Sequence, residues 1–158
     1  MKPNTFRLLA TVISVILAIQ NGFSQQDNIR FKRLTINEGL SLSSVYTVFQ
    51  DSKGFMWFGT EDGLNKYDGK RFRIYRPIPG DSSSLSYRWT DLVLEDSKGQ
   101  LWFGSKGGLT MLNPKKEYFA QYNSFSSANK LTSDTITYLK EDSNNQLWVG
   151  TVTGCLLY

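Results

Sequence analysis

The sequence predicts an all-β fold of repeated four-stranded antiparallel meanders, the pattern of β-propeller blades. Three observations predict it: one stretch occurs three times, its period is close to 45 residues, and short aromatic or branched runs alternate with turn residues. The stretch reads DSKGFMWFGTEDGL over residues 51–64, DSKGQLWFGSKGGL over 96–109 and DSNNQLWVGTVTGC over 142–155. Trp57, Trp102 and Trp148 hold its register, 45 and then 46 residues apart.

In the first copy, Asp51, Ser52, Lys53 and Gly54 predict a tight reversal. Asp and Ser bond their own backbone two residues on, and Gly supplies the positive φ that the last turn position needs. Asp96 and Gly99 repeat the pattern, and in the third copy Asp142 is followed by Asn145, the next most tolerant residue for left-handed backbone. FMWFGT, with Trp57 and Gly59, then reads as a strand, Glu61-Asp62-Gly63 turns the chain, LNKY is a strand, Asp68-Gly69 turns it again and RFRIY follows. Gly104 and Gly108, then Gly150 and Gly154, repeat the positions of Gly59 and Gly63. VYTVFQ, TDLVLE and ITYLKE supply the strand before each Asp turn. Blades are expected around residues 40–76, 85–122 and 131–158, each opened by Leu40-Ser41, Leu85-Ser86 or Leu131-Thr132. Residues 76–84, rich in Pro, Gly and Ser, and residues 123–129 link them, and such variable linkers are where a propeller carries recognition.

A blade alone cannot bury both faces. Burying one Trp is worth at most ~4–6 kcal/mol by area, and only against a neighbouring sheet. The recurring tryptophans are therefore expected between blades, since an aromatic platform for a sugar or base would more often be unique. Asp51, Asp96 and Asp142 are expected to cap turns; as calcium ligands they would lack the second and third acidic positions of a calcium loop.

The unit closely resembles the two-component regulator propeller repeat, which is found in periplasmic sensor parts of Bacteroidetes hybrid two-component systems. The resemblance covers residues 31–158, and the later copies depart at Ser105, Asn145 and Cys155. It implies the amino-terminal part of a longer sensor: a non-catalytic, ligand-sensing segment whose partners are further blades and later domains. In such proteins a β-sandwich domain, a membrane span, a histidine kinase and a response regulator follow. The signal in many relatives is a glycan breakdown product, and no binding residue is carried over from them.

The first 24 residues read as a secretory signal peptide, with Lys2 and Arg7, an apolar run over residues 8–19, and small residues at Gly22 and Ser24. Cleavage is expected between Ser24 and Gln25, into the periplasm, leaving residues 25–158 as a partial propeller. The run is short of the ~20 residues that span a bilayer, and no later segment is apolar enough to insert. Residues 31–34 (FKRL) stand where RFRIY stands one unit later and are expected to give an outer strand. The sequence ends before a fourth strand of the third blade, so an incomplete ring is expected.

With Lys2 and Arg7 gone, 16 basic residues face 14 acidic ones, a net of +2, too mild and interspersed for a nucleic-acid surface. Lys70, Arg71, Arg73 and Arg76 form one local concentration, read as a solvated strand edge rather than an anionic-ligand site. The chain has no His and one Cys, Cys155, which removes the usual general base, the commonest metal ligand, a kinase phosphoacceptor and any intrachain disulfide. The Gly-rich piece from Gly104 to Gly108 lies between strands, without the helix N-terminus that cradles phosphate. No cofactor, metal or catalytic constellation is expected; the rival readings are a lyase-like propeller enzyme, which needs a His acid/base, and a stand-alone interaction scaffold.

Overall fold

The structure, a computed structural model, describes residues 30–125 and 130–158. The expected signal peptide, its cleavage site and part of the second linker lie outside them. The fold is carried by the unit Leu34–Tyr158. Three antiparallel sheets follow one another in chain order. The first comprises β1 (Val45–Gln50), β2 (Met56–Thr60), β3 (Gly63–Tyr67) and β4 (Phe72–Tyr75). The second comprises β5 (Thr90–Glu95), β6 (Leu101–Ser105), β7 (Gly108–Asn113) and β8 (Tyr118–Tyr122). The third holds β9 (Ile136–Glu141), β10 (Leu147–Thr151) and β11 (Gly154–Leu157). Each sheet is a meander with neighbours paired in sequence order, and the third has three strands among the described residues.

Register repeats as faithfully as sequence. Trp57 pairs with Phe49 and Lys66, Trp102 with Leu94 and Met111, and Trp148 with Lys140 and Leu157. Each first strand also carries one irregularity near its start, leaving Tyr46, Asp91 and Thr137 as extra residues opposite the second strand. Such a bulge re-aims a side chain.

Because side chains alternate across a strand, each blade presents two faces. Trp57 faces the second blade and enters a core with Leu64 of its own sheet and Leu85, Leu101, Phe103, Leu112 and Phe119. Trp102 does the same one blade on, with Leu131, Ile136, Leu147 and Val149 around it. Leu85 and Leu131, which open the second and third blades, plug these same two cores. Trp57 and Trp102 are 0% and 2% exposed, whereas Trp148, on the corresponding face of the third blade, is 40% exposed.

The turn expectations hold: Gly54 and Gly99 have φ of 85° and 73°, and Asn145 stands at 60°. Gly59 answers to a different demand, close approach. A Cβ there would lie 2.2 Å from the Thr90 carbonyl oxygen of the next blade.

Two expectations need correction. Residues 31–34 form no strand; they are irregular, and Phe31 is 94% exposed. A strand requires a ladder partner, and no sheet edge among the described residues pairs with this segment. Lys70 and Arg71 lie in the β3–β4 turn, held there by their backbone N–H groups donating to Asp68 Oδ1 at 2.8 and 2.7 Å, so only Arg73 sits within the strand. Just ahead of the first blade, Ile36–Glu38 forms a single 3-10 turn that the strand-centred sequence reading passed over. Thr35 and Glu38 cap it reciprocally and Gly39 closes it at φ 104°, so the T-x-x-E spacing was its signal.

Candidate functional site

Each Asp of the repeat does more than cap its turn. Asp51 Oδ1 accepts from the Lys53 and Phe55 backbone N–H groups at 3.0 and 2.9 Å, and Asp51 Oδ2 accepts from the Trp57 indole Nε1–H at 2.8 Å. Asp96 binds Lys98, Gln100 and Trp102 in the same way, and Asp142 binds Asn144, Gln146 and Trp148, each indole bond again 2.8 Å. One carboxylate thus fixes both the turn and the ring that fills the junction. The Thr60 hydroxyl, at the far end of the same strand, donates to Gly63 O and accepts from the Asp62 N–H. Ser105 and Thr151 repeat this pair of bonds, which explains why Ser replaces Thr at no cost to the pattern.

For Asp142 the indole bond is the leading cause that lowers the carboxyl pKa below its ordinary value. A depressed folded-state pKa stabilises the fold fully above the ordinary carboxylate value and loses that contribution as pH falls through the lowered one. The Trp148 indole Nε1–H NMR signal is therefore expected to hold its position from neutral pH down to about 4 and to move only below that. In Asp142→Asn this titration should vanish. A Trp148 signal that moves between pH 5 and 7 would contradict the assignment.

Blades are also pinned to each other outside the apolar core. Ser52 donates from its backbone N–H and its Oγ to the Glu95 carboxylate, both at 2.6 Å; Ser97 does the same to Glu141 at 2.8 and 2.7 Å. The Gly63 N–H reaches Arg88 O at 2.7 Å and the Gly108 N–H reaches Asp134 O at 2.8 Å. Sequence reasoning missed these bonds. The available signal was the acidic residue directly before Asp96 and Asp142.

The end of the sheets where β1, β5 and β9 begin holds the features that do not repeat. Trp89, the one Trp outside the repeat register, packs against bulged Tyr46 with ring centroids 4.9 Å apart, and Lys106 Nζ lies 4.6 Å from its ring. Tyr46 donates its hydroxyl to Glu61, a bond that raises the phenol pKa, while Arg88 Nε donates to Glu61 O at 3.1 Å. A Cβ on Gly107 would sit 2.6 Å from Tyr87 Cβ, so Gly lets Tyr87 lie over this turn. The corresponding residues at the second junction are Asp91 and Thr135, small and polar. Tyr46 and Tyr87 are exposed, so with Trp89 they form an aromatic rim at this end of the first junction.

The basic group is divided by the fold. Arg76 pairs with Asp62 at 2.8 Å, which holds the Asp62 carboxyl below its ordinary value, and Arg73 pairs with Glu117 across the junction at 3.3 Å. Arg73, Arg76 and Lys66 border a cleft of about 280 Å³ between the outer strands of the first two blades, with Tyr75 and Phe119 as its floor. Two of these three cations, Arg73 and Arg76, are paired with carboxylates, and Lys70 and Arg71 do not line the cleft, so the group does not assemble into one anion site. Among the described residues no three His, Cys, Asp or Glu side chains cluster as metal ligands.

Residues 39–62 and 130–153, the cores of the first and third blades, match the family of the two component regulator propeller. In these two segments the chain is similar to two-component regulator propeller repeats. The middle repeat, built on Trp102, keeps the same register and the same bonds. Over 63 residues, 40% of this chain, the sequence is 52% identical to a curated histidine kinase of Formosa agariphila. The fold is similar to the extracellular domain of a hybrid two component system from B. thetaiotaomicron, with TM-score 0.68 and 28% identity over 80% of this chain. A second such domain from that organism gives TM-score 0.58 and 27% identity over 72% of the chain. The chain spans a small part of these relatives: 5% of the kinase, and 19% and 16% of the two extracellular domains. No described helix is long and apolar enough to cross a membrane.

Proposed function

We propose that this chain is an exported, non-catalytic propeller segment that contributes to the input region of a hybrid two-component signalling protein. The observation that carries the reading is the propeller repeat itself, in a fold similar to extracellular domains of such systems. On this reading the first 24 residues are removed on export to the periplasm, further blades and later domains complete the input region, and the signal is a small glycan-derived molecule. The aromatic rim around Tyr46, Tyr87 and Trp89 suits sugar stacking, since flat rings with a nearby cation offer both an apolar face and a polar edge. The absence of His from the sequence leaves a lyase-type acid/base step without its usual group.

The test is a graft. Residues 1–158 replace the leader and the matching blades of the B. thetaiotaomicron hybrid system, and induction of its target genes is followed together with cell fractionation. Export with amino-terminal processing before Gln25 and retained induction are expected. A graft that is exported and folded but deaf to the inducer would overturn the signalling role, and an intact Met1 would overturn export.

A further inference from the structure

Both blade junctions carry the same hydrogen-bonded latch, and its two unmatched halves differ in chemistry. The donor is the Ser that follows the turn Asp, Ser52 or Ser97, and the acceptor is the last residue of the next blade's first strand, Glu95 or Glu141. Each carboxylate accepts two short bonds, one from a backbone N–H and one from a hydroxyl. Ser143 occupies the donor position of the third blade, is exposed, and makes no such bond among the described residues. The acceptor position of the first blade holds Gln50, paired with Met56 as Glu95 is paired with Leu101. Its side chain turns to its own loop, with Nε2 donating to Gly54 O at 3.4 Å.

The apolar faces beside the latch would not discriminate. Val48 and Phe58, on the uncovered face of the first blade, occupy the positions of Val93 and Phe103, which pack against Trp57. A second copy could therefore lay its first blade on Trp148 as the second blade lies on Trp57. What it lacks is the carboxylate. An amide can turn only its oxygen toward the two Ser143 donors and brings an N–H₂ beside them, and a neutral acceptor makes weaker bonds than a charged one.

We infer that this latch selects blade neighbours: the face bearing Ser143, Trp148 and Tyr138 takes a propeller blade whose first strand ends in Glu or Asp, and Gln50 disfavours capture of a second copy. The inference rests on the reading that these blades belong to a larger propeller. The latch selects which blade follows which, and adds specificity to an interface that area alone would leave open.

The experiment compares the full chain with Gln50→Glu, Ser143→Ala and the double variant by sedimentation velocity over a concentration series, with circular dichroism to confirm an unchanged fold. Gln50→Glu is expected to tighten head-to-tail self-association about tenfold, as two bonds to a charged acceptor replace bonds to a neutral one. Ser143→Ala, on the opposite face, should remove most of that gain in the double variant. High salt should weaken the association of Gln50→Glu more than that of the wild type. Equal association of wild type and Gln50→Glu, or a gain that survives Ser143→Ala in full, would overturn the latch. A wild-type chain that melts cooperatively as a monomer would instead remove the larger-propeller reading, so the two failures are read on different samples.

Discussion

Replacing Trp57 by alanine is expected to cost about 3–5 kcal/mol, while the same change at Trp148 costs under about 1 kcal/mol. The two residues share a motif, a strand register and an Asp partner at 2.8 Å. They differ in what lies across from them. Trp57 meets Phe103 at 5.5 Å between ring centroids and Tyr75 at 5.9 Å, and its loss would open a cavity that neither sheet can collapse into. Trp148 is 40% exposed, so its removal leaves little that water does not already reach. Trp102→Ala should resemble Trp57→Ala, because that ring is 2% exposed and touches Tyr122 and Tyr158. Urea denaturation followed by far-ultraviolet circular dichroism separates the cases, and equal losses at Trp57 and Trp148 would show that the motif acts within a blade rather than between blades.

The second large effect is expected from the smallest change. Gly59→Ala places a methyl group 2.2 Å from the Thr90 carbonyl oxygen and 2.6 Å from Thr47 Cγ2, and a backbone atom in the neighbouring sheet cannot step aside as a side chain can. A cost of about 3 kcal/mol is expected, at the upper end of overpacking. Gly150→Ala meets Tyr138 Cβ at 3.0 Å and Thr137 Oγ1 at 3.2 Å, both within its own sheet, so about 1 kcal/mol is expected there. Amide hydrogen exchange should place the damage of Gly59→Ala in β1, β2 and β5 and leave β9 and β10 protected. Uniform loss of protection across all three sheets would contradict a local clash.

The repeat was legible because it is written in residues with narrow backbone and packing needs: Gly or Asn at the positive-φ turn position, Trp at the junction, Thr or Ser at the strand end. What escaped sequence reading was pairing across blades. Nothing in DSKG says that its Ser will meet a Glu 43 residues on, since that contact depends on the stagger between two sheets. The Asp-to-indole bond spans six residues, yet it too needed the hairpin register that turns Trp57 back over its own turn. Trp89 could be picked out only as the Trp that breaks the period. Residues 31–34 show the opposite error: strand-like composition without a sheet edge to pair with gives no strand.

The gap between the first two blades widens from β2 and β5 toward the outer strands. Where β2 nears β5, Gly59 lets one sheet nearly touch the backbone of the next; two residues along the same strand Trp57 packs on Phe103 between the sheets; at the outer strands β4 and β8, Tyr75 and Phe119 cross at 5.2 Å beside a cleft of about 280 Å³. Two sheets that meet along one edge and are spread along the other form a wedge, and the angle of that wedge sets how many blades close a circle. Bulk added at Gly59 would flatten the angle and call for more blades, whereas smaller rings at Tyr75 or Phe119 would narrow the outer gap to the same effect. The angle at this junction thus depends on the side chains at both sides of the wedge, Gly59 against Thr90 and Tyr75 against Phe119, and exchanging bulk between them is the route by which a sequence of this kind would change its blade count.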